Sequence, residues 1–253
     1  MSNPVLSEER WSQLRDVSNV GSNVMTVDGT VTKTGFLLVI LLATVGLMWN
    51  AFWNGGAIDM KAVMPWLIGG SIGGLILALV GMFAPRWAML TGTLYAVAQG
   101  LVIGGLTMFF ESMPAYHGLA LTAAAFTAAT LIGMLILYRT GIIKATPGLI
   151  KGIIMATAGL MLGIGILFLL NLFGIGGGIV ATLYGNGPIG IGFSVLCVGL
   201  AAFNLIVDFH VIEEGAKHNA PKYMEWVGAF GLLVTLVWLY IEILRLLAKL
   251  RSR

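Results

Sequence analysis

Polar and apolar positions fall in long blocks along this chain, not in short alternation. Seven apolar stretches run about Phe36–Trp53, Val63–Ala84, Ala88–Phe110, Gly118–Tyr138, Gly152–Phe173, Pro188–Val207 and Trp226–Leu247. Each is close to the ~20 residues a helix needs to cross a bilayer at ~1.5 Å rise per residue. They are too long and continuous for membrane strands, which need only about 10 alternating residues. The linkers are short, and Pro85-Arg86-Trp87 is nearly a bare turn, so sequence neighbours must run antiparallel. The pattern predicts an all-α membrane protein with one compact domain of seven transmembrane helices over residues 36–250. Residues 1–35 read as a polar N-terminal tail and not as a signal peptide, with Glu8, Glu9, Asp16 and Asp28 before any apolar run. Within that tail Ser7 is a candidate helix cap, and Trp11 and Leu14 share one helical face.

Composition agrees with this reading. The chain has 253 residues, of which 58 % are apolar and only 10 % charged, against about 25 % charged in a soluble domain. The net charge of +3 comes from basic residues scattered at segment ends. No basic run interleaves with aromatics, so nucleic acid is not an expected partner. The single cysteine, Cys197, lies inside an apolar stretch and reads as a small packing residue.

The positions of Lys and Arg predict orientation. Arg86, Arg139, Lys144, Lys217 and Lys222 all fall in even-numbered loops, on the side of the N-terminal tail, while the opposite loops carry only Lys61 and the Gly174–Gly187 loop has no charge. The tail and the even loops are therefore expected in the cytoplasm. Arg245, Lys249, Arg251 and Arg253 then emerge on the opposite side if the seventh segment is a true span, the reading favoured here. Small-xxx-small spacings recur at Gly69/Gly73, Gly70/Gly74, Gly100/Gly104 and Gly159/Gly163. They are expected chiefly as helix contacts within the bundle.

Candidate chemistry is sparse. The chain lacks H-E-x-x-H and paired cysteines, and His117, His210 and His218 lie at segment ends, so no enzyme and no cofactor are expected. Gly185-Asn186-Gly187-Pro188-Ile189-Gly190 fits G-x-G-x-x-G, but a dinucleotide site needs a strand before it, and here an apolar helix with Pro188 in its first turn follows. The informative residue is Asp208, which ends the sixth apolar run. An ionisable group at membrane depth costs about 2.5–3.5 kcal/mol at a helix centre, so a chain that keeps one there commonly uses it for transport, proton sensing or ion coordination. Asn204 is one turn earlier on the same face; Glu242, Arg245 and Gln99 complete the polar groups at depth, and Arg86 sits at a mouth between the second and third spans. The competing readings are that Asp208 is solvated at its helix end, and that Glu242 simply pairs with Arg245.

The stretch from Pro188 to Leu250 resembles the last two helices of the Bax-inhibitor family, in its bacterial branch. The likeness rests on Asn204-Leu-Ile-Val-Asp208-Phe-His-Val-Ile212 and on Leu232-Leu-Val-Thr-Leu-Val-Trp-Leu-Tyr-Ile-Glu-Ile-Leu-Arg245. Leu137-Tyr-Arg-Thr-Gly-Ile-Ile-Lys144 is similar to that branch as well. The resemblance implies three helix pairs around a central last helix, a bacterial plasma membrane, and a pH-sensitive calcium leak. In that picture an aspartate on the sixth helix shares a proton with one on the seventh. The first maps onto Asp208, the expected ion-binding and gating residue and the candidate calcium ligand, with calcium as transported ion rather than cofactor. The second maps onto Leu232 or Thr235, neither of which carries charge, so the paired-aspartate latch is absent as such. Asn204 is the expected assisting ligand, and Glu242 and Arg86 are the expected counter-charges. The alternative implied by the resemblance is a regulator that binds a membrane-bound protease or another membrane complex.

Overall fold

The structure, a computed structural model, describes residues 23–54 and 57–252. The tail positions Ser7, Trp11 and Leu14 lie outside the described residues. Eight helices follow one another among those described: α1 (Val27–Phe52), α2 (Met60–Phe83), α3 (Ala88–Glu111), α4 (Leu119–Arg139), α5 (Pro147–Leu172), α6 (Gly177–Tyr184), α7 (Pro188–Lys217) and α8 (Met224–Arg251). All but α6 belong to segments long and apolar enough to cross a membrane, as an integral multi-pass protein requires. A two-residue antiparallel ladder, Trp53 opposite Ile58, joins α1 to α2.

Helix ends follow local chemistry more than the limits of the apolar runs. The first helix begins at Val27, nine residues before the run at Phe36, because Thr26 caps it by accepting from Gly29 N at 3.0 Å and Asp28 complements the helix dipole. Thr146 caps α5 from its side chain, with Pro147 as the first helical residue. Gly141, at φ 70°, lets the chain turn sharply after α4.

The last helix is the centre of the bundle. Its apolar window is 67 % buried, that of α3 61 %, and that of α5 only 6 %. α8 packs against α1, α3, α4 and α7, while α2 lies on α3 and α5 on α7. Leu205 and Ile206 of α7 and Leu233, Leu239 and Leu244 of α8 are among the fully buried side chains. Large apolar residues such as Phe83, Leu121 and Leu172 face outward, as expected where the solvent is lipid rather than water.

The glycine pairs divide between interior and surface. A Cβ at Gly100 would meet Thr44 Cβ at 2.5 Å and Leu41 O at 2.8 Å, and one at Gly70 would meet Ala98 O at 2.7 Å. These glycines let α3 approach α1 and α2 closely. Gly69, Gly73, Gly159 and Gly163 instead face open space.

The seventh segment is a full-length helix, and its basic end is put to use. Arg251 donates to His117 O at 2.9 Å, Arg245 pairs with Glu242 at 2.7 Å, and the Lys249 ammonium donates to two backbone carbonyls. These cations are held at the face opposite the even-numbered loops by their own partners.

Candidate functional site

Asp208 lies on α7 where that helix faces α8. Its Oδ1 is 3.7 Å from where a Cβ on Gly231 would sit, so the missing side chain leaves the carboxyl room against the central helix. Thr235, one turn along α8, is the polar side chain that bears on it. This is one of the two positions onto which the resemblance maps the second aspartate. Asp208 Oδ2 is buried and finds no hydrogen-bond partner among the described residues. A buried acceptor without a partner is costly, on the order of 1–3 kcal/mol, and more when charged.

The other expected site residues are dispersed. Asn204 turns to α5 and to its own helix: Nδ2 donates to Thr157 Oγ1 at 2.7 Å and to Leu200 O at 2.8 Å. Glu242 Oε1 accepts from Arg245 Nη1 at 2.7 Å, and Oε2 is buried without a partner. The antiparallel register of α7 and α8 places Glu242 beside Cys197, eleven residues before Asp208, a separation of about 16 Å along a helix. Arg86 is exposed in a single 3₁₀ turn, Pro85–Trp87, and makes no ion pair among the described residues. Thus the structure brings Asp208 to Thr235 and Gly231, and leaves Asn204, Glu242 and Arg86 apart from it. No group of three or more His, Cys, Asp or Glu gathers to hold a metal among the described residues.

An open cavity of about 860 Å³ leads inward from the face of the even-numbered loops, between α1, α4, α7 and α8. Its rim carries Asp28, Arg139, Lys144, Glu213, Glu214 and Lys217, and its depth is apolar, with Leu38, Phe209, Leu232 and Leu236. Asp208 does not line it. The wall is formed by its chain neighbour Phe209 and by the α8 residues that flank Gly231 and Thr235. Tyr138 stands at the rim, its ring centroid 5.8 Å from that of Phe209 and its hydroxyl donating to Glu213. Nothing in the sequence pairs Tyr138 with Glu213, which lie 75 residues apart.

A second ionic centre ties the start of α1 to the start of α8. Glu225, 1 % exposed, pairs with Lys33 and with Lys222, and accepts from Thr26 N at 2.9 Å and Thr26 Oγ1 at 2.8 Å. Met25 N donates to Ala220 O at 2.7 Å beside it. Both of its oxygens are engaged, Oε1 by Thr26 and Lys222 and Oε2 by Lys33, so this carboxylate holds the starts of the two helices together.

A family model described as Bax inhibitor 1 like matches residues 3–252, nearly the whole chain. No curated protein and no solved structure matches it.

Proposed function

Because the chain belongs to the Bax inhibitor 1 like family, we propose that it passes a cation, calcium in the first instance, through the bundle at Asp208. The observation that carries this reading is the unpartnered Asp208 Oδ2 behind the apolar floor of an open, charged-rimmed cavity. A carboxylate oxygen with no protein partner is a ligand in waiting for a hard cation, which takes oxygen donors. The rim sets Asp28, Glu213 and Glu214 against Arg139, Lys144 and Lys217, with Lys217 paired to both glutamates, so its charge is balanced and the pull on a cation comes from Asp208 itself. Phe209 and the leucines at the floor keep water from Asp208, so the resting state is closed. Protonation of Asp208 removes the charge and the ligand together, which makes the same residue the pH-sensitive element. Thr235 stands where the resemblance implies a second aspartate, so gating here works through a single carboxyl and a hydroxyl. Even-numbered loops and cavity mouth then face the cytoplasm.

Replacing the wall tests this. Phe209→Ala is expected to raise cation flux into proteoliposomes several-fold over the native chain. The double variant with Asp208→Asn is expected to lose that gain. Equal flux in native chain and Phe209→Ala, with both folded, would argue for the regulator reading instead, in which the cavity is a docking surface for a membrane partner.

A further inference from the structure

At the far end of the central helix lies a polar cluster unrelated to Asp208. The Lys249 side chain is 3 % exposed and its ammonium is held by backbone: Nζ donates to Leu183 O at 3.0 Å and to Gly190 O at 2.8 Å. Leu183 is in the last turn of α6, whose carbonyls point out of the helix end and carry its partial negative charge. The α6–α7 turn is folded tightly enough that a Cβ on Gly190 would overlap Gly185 O and lie 3.0 Å from Thr182 O. Carbonyl oxygens from Thr182 to Gly190 thus crowd one small region. The Tyr184 ring adds its face, 6.0 Å from Lys249 Nζ and 5.1 Å from the Arg245 guanidinium. Burial raises the pKa of the Tyr184 hydroxyl, so the ring stays neutral. Glu242 supplies the one carboxylate, with Oε2 unpartnered, and Ser194, on α7 between Gly190 and Cys197, is fully buried with its hydroxyl also unpartnered.

Carbonyl oxygens, an aromatic face and a nearby carboxylate are the surroundings that receive a desolvated monovalent cation. We propose that the α6–α7 turn is a binding cradle for an ammonium-sized monovalent cation, and that Lys249 fills it as a tethered occupant belonging to the chain itself. With Lys249 in place the cluster holds two cations, Arg245 and Lys249, against the Glu242 carboxylate. Without Lys249 it is neutral, so a free cation is held there by the carbonyl oxygens and the Tyr184 ring and not by net charge. The proposal stands apart from conduction at Asp208, since it concerns the opposite end of α8 and is read by binding.

Beyond Cβ, the lysine side chain is three carbons and an ammonium, which is n-propylammonium. The test is the thermal unfolding of purified Lys249→Ala in n-propylammonium chloride, tetramethylammonium chloride and n-propanol at matched concentration. In tenfold excess over its dissociation constant, n-propylammonium is expected to raise the midpoint by about 3–5 °C over the other two. The native chain, its cradle already filled, is expected to show no such difference. A lysine that only caps the α6 carbonyls predicts a destabilised variant with the same midpoint in all three, and that result overturns the proposal. If Lys249→Ala does not fold, Lys249→Leu, which ends two atoms short of Nζ, is read in ammonium against tetramethylammonium. A higher midpoint in ammonium supports the cradle, and equal midpoints overturn it.

Discussion

Asp208 and Glu225 are both carboxylates taken largely out of water, in opposite circumstances. Glu225 is met by two lysines and by both donors of Thr26, whereas one Asp208 oxygen has no partner among the described residues. Removing a buried ionic partner costs about 3–5 kcal/mol, because the charges left behind are neither paired nor hydrated. Glu225→Ala is therefore expected to lower the unfolding midpoint strongly, by release of Lys33 and of the α1 start, in a thermal melt. Asp208→Asn is expected to leave that midpoint nearly unchanged, since no ion pair is lost. The position of Asp208 at the end of an apolar run is legible in the sequence, because a charge there breaks an otherwise unbroken pattern. Its surroundings are not. Asn204 shares its helical face by spacing, yet the amide reaches Thr157 on α5, and only the packing of α5 on α7 decides that. The role of Glu225 is illegible for the same reason: its partner Lys33 is 192 residues away in the chain.

Among the elements, long apolar runs fix the seven spans because a bilayer leaves helix as the main way to satisfy backbone groups. What the runs do not fix is where a helix starts. Thr26 and Asp28 begin α1 well before Phe36 because the polar first turns are covered by the start of α8, with Thr30 and Thr34 buried there. The charge-free loop at Gly174–Gly187 also hides α6, too short and glycine-rich to show as a periodic stretch. The glycines illustrate the same point. Gly100 and Gly159 sit in equivalent small-xxx-small patterns, but one meets α1 and the other meets nothing within 4 Å. Gly100→Ala is expected to cost about 1–3 kcal/mol through overpacking against Thr44 and Leu41. Gly159→Ala is expected to be neutral or to gain up to about 1 kcal/mol from helix propensity. Midpoints of the two variants against the native chain check this, and equal losses in both would mean that α5 packs against a partner through that face.

At the scale of the whole molecule, the bundle has two polar ends joined by one central helix. The end with the even-numbered loops holds the cavity, Asp208 and the Glu225 clasp; the other holds Glu242, Arg245 and Lys249. A count of loop charges puts the basic C-terminus on the unfavoured side, and each of its three described long-side-chain cations nearest the end has a partner at that face. The central claim is that Asp208 is the ionisable element of a cation path. Its most direct test is calcium flux into liposomes holding the purified chain, native and Asp208→Asn, on either side of neutral pH. Flux in the native protein is expected to change with pH, and flux in the variant to be altered in size and no longer to follow pH. Folded protein that passes no calcium at either pH, or a variant whose flux follows pH as the native chain does, would contradict it.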